Sequence, residues 1–130
     1  MKALSLTQPM AWAIFHGKDV ENRTWPLWKY IKKQDLPIRI YIHASKGFDA
    51  DHYNWIMQNE NRLGLQIPQI YELVHGAIIG EVTIVGCTTQ HTSMWFTGPY
   101  AFELEDANEY DKPIPCKGML GLFEPKIERV

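Results

Sequence analysis

Residues 38–43 read IRIYIH, setting Ile38, Ile40 and Ile42 in alternation with Arg39, Tyr41 and His43. Successive side chains of an extended strand point to opposite faces, so this tract demands a sheet with one apolar face on a core and a second that accommodates charge and aromatic rings. Two further tracts make a similar demand. GAIIGEVTIVGCTT, residues 76–89, is the longest strand candidate, and Glu81 interrupts its apolar run, so that it needs solvent or a partner. YAFELED, residues 100–106, sets Tyr100, Phe102 and Leu104 against Ala101, Glu103 and Glu105.

The remaining tracts supply short elements. KALSLTQ places Leu4 and Leu6 on one side of a strand, and Pro9 suits the first turn of a helix, with Thr7 or Gln8 just before it. Met10 to Phe15 are apolar all round, which predicts a short buried helix that Gly17 ends in a left-handed conformation. Asp49 to about Arg62 reads as a capped helix with a stripe of Tyr53, Ile56 and Met57 and a stop at Gly64. PQIYELV is a weak helical turn, and PIPCKGMLGLFE, residues 113–124, a tightly turned final strand. Together these predict an α+β fold: one domain over residues 1–130, a curled sheet or barrel with flanking short helices. A doubly wound nucleotide fold is excluded by the absence of repeated strand–helix alternation and of GxGxxG or GxxxxGK[ST].

Composition narrows the function. No window approaches the roughly 18 apolar residues of a membrane span, and MKALSLTQPM has no signal-peptide pattern, so the expectation is a cytoplasmic protein with no membrane partner. Cys87 and Cys116 lack CxxC spacing and the five histidines are scattered, which predicts no metal and no cofactor. A net charge of -2 argues against sequence-independent coating of nucleic acid. The charge is uneven, however: the first fifty residues hold eight bases against four acids, leaving the rest strongly acidic, which permits a local anion-binding patch.

That patch has a candidate centre in GKDVENRTW, residues 17–25. In an extended segment Glu21 and Arg23 share a side, and Lys18 joins them where the chain bends after Gly17. A carboxylate between two cations is held ionised, and the cations can meet phosphate or polarise a carbonyl. The bland alternative is a structural ion-pair cluster tying the helix end to the sheet. His43, Ser45 and Lys46 in IHASK stand at a strand end, where polar side chains rim clefts. Trp12 and Trp55 are expected in the core, whereas Trp95, in SMWFTGPY, sits in a loop from which an indole can stack on a planar ligand.

Taken together, LSLTQPMAWAIFHGKDVENRTW, IYIHASK, GAIIGEVTIVGC, WFTGPYAFELED and PIPCKGMLGLFE resemble an ASCH domain of the PUA-like superfamily over nearly the whole chain. The family signature is Gly-x-Lys-x-x-Glu-x-Arg; Lys18, Glu21 and Arg23 match it, while Gly17 adjoins the lysine directly, one residue closer than the pattern. The resemblance implies a PUA-like mixed β-barrel with flanking short helices, a cleft lined by the signature residues, and RNA or a nucleotide or nucleoside as ligand. A subgroup of the family hydrolyses the acetyl amide of N4-acetylcytidine with a Thr–Lys–Glu arrangement; Lys18 stands where that lysine does, but Glu21 occupies the threonine's place.

Three readings follow. In the first, a binding module, Arg23, Lys18 and Lys46 meet phosphate, Trp95 or Tyr100 stacks on a base, and Gln8, His43 and Ser45 complete the ligand contacts. In the second, a hydrolase acts on a modified nucleoside or an RNA strand, with Glu21 as general base and Lys18 stabilising an oxyanion. The third is a protein-interaction domain in which the cluster is structural.

Overall fold

Among the described residues six strands form one curled, half-barrel sheet in the order β2-β5-β4-β3-β1-β6. The strands are β1 (Ala3–Gln8), β2 (Val20–Arg23), β3 (Ile38–Phe48), β4 (Ala77–Thr88), β5 (Tyr100–Pro115) and β6 (Leu122–Phe123). Three short α-helices flank them: α1 (Met10–Ile14), α2 (Ala50–Gln58) and α3 (Glu60–Leu63). This is a computed structural model, and it describes residues 1–127. Among those residues no helix is long and apolar enough to cross a membrane.

β3 is the internal strand that the alternation of Ile38, Ile40 and Ile42 demands. It pairs parallel with β1 and antiparallel with β4, and Ile40 and Ile42 are fully buried. Burying one such side chain contributes about 1.5–3 kcal/mol. The alternation continues: Ala44 joins Ile40 and Ile42 in the core, and a register slip between Ile42 and His43 leaves Ile79 of β4 without a partner on β3. His43 stays on the opposite face and is buried there by the segment around Cys116 and Gly118, its Nε2 2.7 Å from the Cys116 carbonyl oxygen.

Elsewhere the local rules act as expected, with three departures. Asp49 caps α2, its Oδ1 accepting the His52 N–H at 3.0 Å, and Gly64 ends α3 in the left-handed region at φ 68°. The single helix expected from Asp49 to Arg62 is broken at Asn59 into α2 and α3, and of the expected stripe Tyr53 and Ile56 are buried whereas Met57 is 48% exposed. β5 is far longer than YAFELED: it runs sixteen residues against β4, taking in the two prolines assigned to the final strand. Only Leu122 and Phe123 remain to close the sheet beside β1. Trp12, expected in the core, is half-buried and stacks on His16 with ring centroids 4.1 Å apart.

Glu81 has found partners. Its carboxylate accepts from Arg39 Nε at 2.5 Å and from the Tyr110 hydroxyl at 2.7 Å. The Arg39 hydrogen bond first, and then that of Tyr110, hold the carboxyl below its usual range. Burial, reinforced by Glu81, pushes the Tyr110 phenol above its ordinary value.

Candidate functional site

The charge run after α1 is folded inward by one glycine. Gly17 takes φ 106°, a conformation side chains rarely adopt, and the Lys18 N–H returns to the Ala13 carbonyl at 3.0 Å. Lys18, two residues ahead of β2, therefore faces the interior, and its side chain is only 1% exposed. Its ammonium donates to Glu21 Oε1, and Arg23 Nη1 donates to Glu21 Oε2 at 3.0 Å. Each carboxylate oxygen thus accepts from its own cation. Arg23 is fixed further by Nη2, which donates to the Ser5 carbonyl on β1 at 3.2 Å.

This cluster lies in the wall of a cleft of about 1430 Å³. Drug-sized ligands occupy pockets of about 300–1,000 Å³, so the cleft has room for a nucleotide with part of a flanking strand. Its walls come from β1, β2, β3, α2, the loop holding Trp95 and the loop from Cys116 to Gly121. The charged residues of the lining are Lys18, Arg23, Lys46 and Lys117 against Glu21 and Asp51, an excess of two positive charges in a chain whose net charge is -2. Cationic clefts of this kind concentrate anions.

The aromatic wall is a pair. Trp95 and Trp55 meet edge to face at 5.3 Å and both line the cleft; Trp95, expected as an open loop indole, is buried in a hydrophobic cluster, and Trp55 is half-buried against the same cluster. Trp95 is the more buried of the two, and Trp55 presents the more open ring. Asn22 holds the loop in place. Its Nδ2 donates to the Trp95 carbonyl at 2.9 Å, and its Oδ1 accepts the N–H groups of Thr97 and Gly98.

Of the nine residues singled out from the sequence, the structure brings seven to this cleft: Lys18, Glu21, Arg23, His43, Ser45, Lys46 and Trp95. Gln8 is elsewhere. It is buried, its Oε1 accepts the Trp12 N–H of α1 and its Nε2 donates to the Val74 carbonyl, so the amide is consumed in joining helix to sheet. Tyr100 also lies outside the lining, because the wall is supplied ahead of it by Met94, Trp95, Thr97 and Gly98 and the chain has entered β5 by residue 100.

The sequence pairing of His43 with Ser45 is also replaced. Ser45 Oγ accepts the Gly47 N–H, while His43 Nδ1 lies 2.8 Å from the hydroxyl of Ser5, its register partner across the parallel β1–β3 ladder. Ser5, Asn22, Trp55 and Lys117 are among the cleft residues that sequence reasoning missed. Asn22 alone carried a signal, since it lies between Glu21 and Arg23 and alternation sends it to the other face of β2.

No family model matches the chain, and no curated protein matches it.

Proposed function

We propose that the cleft binds a nucleotide of single-stranded or locally opened RNA, in a domain of the PUA-like, ASCH type. The observation that carries this reading is the convergence in one cationic cleft of a fixed Lys18–Glu21–Arg23 cluster and an indole pair. Arg23, held by Glu21 and Ser5, offers an oriented guanidinium to a phosphate, and Lys46 and Lys117 add exposed ammonium groups at the rim. Trp55 supplies a face on which a base can stack, worth about 1–3 kcal/mol. Glu21 serves to aim the two cations. Each of its oxygens accepts from one of them.

Fluorescence anisotropy of labelled six-nucleotide RNA, measured across a salt series, tests the reading. Each phosphate contact in a single strand contributes about 0.7 to the slope of log affinity against log salt. Arg23→Ala and the pair Lys46→Ala/Lys117→Ala are expected to weaken binding and flatten that slope, and Trp55→Ala to weaken it with the slope kept. Equal affinity in all four proteins would place the ligand outside the cleft.

A further inference from the structure

His43 is 1% exposed and both of its ring nitrogens are engaged. Nε2 lies 2.7 Å from the Cys116 carbonyl oxygen, which can only accept, so in the neutral ring Nε2 carries the hydrogen. Nδ1 is then an acceptor, and the Ser5 hydroxyl, 2.8 Å away, must direct its proton at it. This is the arrangement by which a hydroxyl is activated: a nucleophile on a base, with a third group fixing the base's tautomer. Ser5 lines the cleft, and the same residue's carbonyl is bonded by Arg23, so a cation is tied beside the nucleophile.

Gly118 packs directly against this pair. A Cβ there would lie 2.9 Å from Ser5 Oγ and 2.7 Å from His43 Cε1, closer than side chains tolerate, and the glycine's backbone is otherwise ordinary. The loop from Cys116 to Gly121 thus supplies the tautomer-fixing carbonyl and packs its glycine against the pair, while Ser5 remains in the lining of the cleft.

We infer that Ser5 and His43 form a nucleophile–base pair that cleaves carboxylic esters by way of an acyl-serine. Ser5 Oγ attacks the ester carbonyl carbon as its proton passes to His43 Nδ1, and the carbonyl π pair moves onto oxygen, where Arg23 is the neighbouring cation. The tetrahedral adduct collapses with loss of the alkoxide, which takes the proton from Nδ1 and leaves as the alcohol. Water then attacks the acyl-Ser5 carbonyl, giving a proton to Nδ1. The second collapse expels Ser5 Oγ, which recovers that proton, and releases the acid.

An ester, rather than an amide, follows from the third group. A carbonyl fixes the tautomer but carries no charge to stabilise the imidazolium, and an amine leaving group depends on that imidazolium more than an alkoxide does. Joined to the nucleotide reading, on which this extension rests, the ester is one borne on a ribose hydroxyl.

The test combines a fluorophosphonate probe with two substrates, p-nitrophenyl butyrate and 3′-O-acetyladenosine. The wild type is expected to gain one probe adduct, mapped to Ser5, and to hydrolyse both esters. Ser5→Ala, a small change at a half-buried site, abolishes adduct and turnover with an unchanged circular dichroism spectrum. His43→Asn lowers turnover about 10²–10⁴-fold, the range of a general base. No adduct, or an adduct elsewhere, overturns the proposal even where RNA binding is intact. Turnover of p-nitrophenyl butyrate without that of the acetylated nucleoside upholds the pair and refutes only the ribose extension.

Discussion

Replacing Glu21 by glutamine removes the charge between two cations and keeps the shape. The Lys18 side chain is 1% exposed and that of Glu21 6%, whereas Arg23, at 21%, retains access to water. The loss therefore falls mainly on Lys18, whose ammonium is left buried without its counter-charge. Removing one partner of a buried pair costs about 3–5 kcal/mol, a large part of the 5–15 kcal/mol typical of a domain. Lys18→Met is expected to cost less, about 1.5–3 kcal/mol for a charge-assisted hydrogen bond, because Glu21 keeps Arg23. The double variant removes the stranded ammonium as well and should be more stable than Glu21→Gln alone, which requires a coupling energy larger than the cost of Lys18→Met itself. Urea unfolding followed by fluorescence reads this as a fall of about 2 M in the Glu21→Gln midpoint, taking a slope near 2 kcal/mol/M. A loss below 1 kcal/mol for Glu21→Gln, or strict additivity in the cycle, would refute the argument that these charges are buried as one unit.

Three further outcomes follow from the packing. Gly118→Ala should press on Ser5 and His43 and lower ester turnover at least as much as it lowers the melting temperature; full activity would mean that the loop yields freely. Asp49→Ala should cost about 1 kcal/mol through the lost cap on α2, read by thermal unfolding, and no change would show that His52 finds another acceptor. The Arg39–Glu81–Tyr110 group shapes the pH profile of stability. Glu81, lowered from 4.5, contributes stability that is present above that value and lost as the pH falls through its lowered one. Tyr110, raised from 10.0, contributes stability that is present below that value and lost as the pH rises above it. Tyr110→Phe should therefore flatten the alkaline limb of the urea midpoint, and superimposable limbs in the two proteins would refute the assignment.

What was legible in the sequence was local. The alternation around Ile40 located the central strand, the residue types at Asp49 and Gly64 marked helix ends, and the bend after Gly17 brought Lys18 to Glu21. Glu81 announced its need for a partner, though not that Arg39 and Tyr110 would meet it. What was not legible depended on register. Ser5 reaches His43 only because β1 and β3 pair in parallel with those residues opposite, and no spacing encodes that across 38 positions. Gln8 has the polarity of a ligand contact but is used up by Trp12 and Val74, and Val74 lies 66 residues away. Met57 has the helical spacing of Tyr53 and Ile56 within α2, yet it is exposed.

The central claim is that the cleft between the Lys18–Glu21–Arg23 cluster and the indole pair is where RNA binds. Its most direct test is a ¹⁵N NMR titration with six-nucleotide single-stranded RNA, following the indole N–H groups of Trp55 and Trp95 with the backbone N–H groups of Gly98 and Lys117. These signals are expected to move together and saturate, while those of Thr83 and Tyr110, outside the cleft lining, stay in place. Movement concentrated on Thr83 and Tyr110, or none at any ratio, contradicts it.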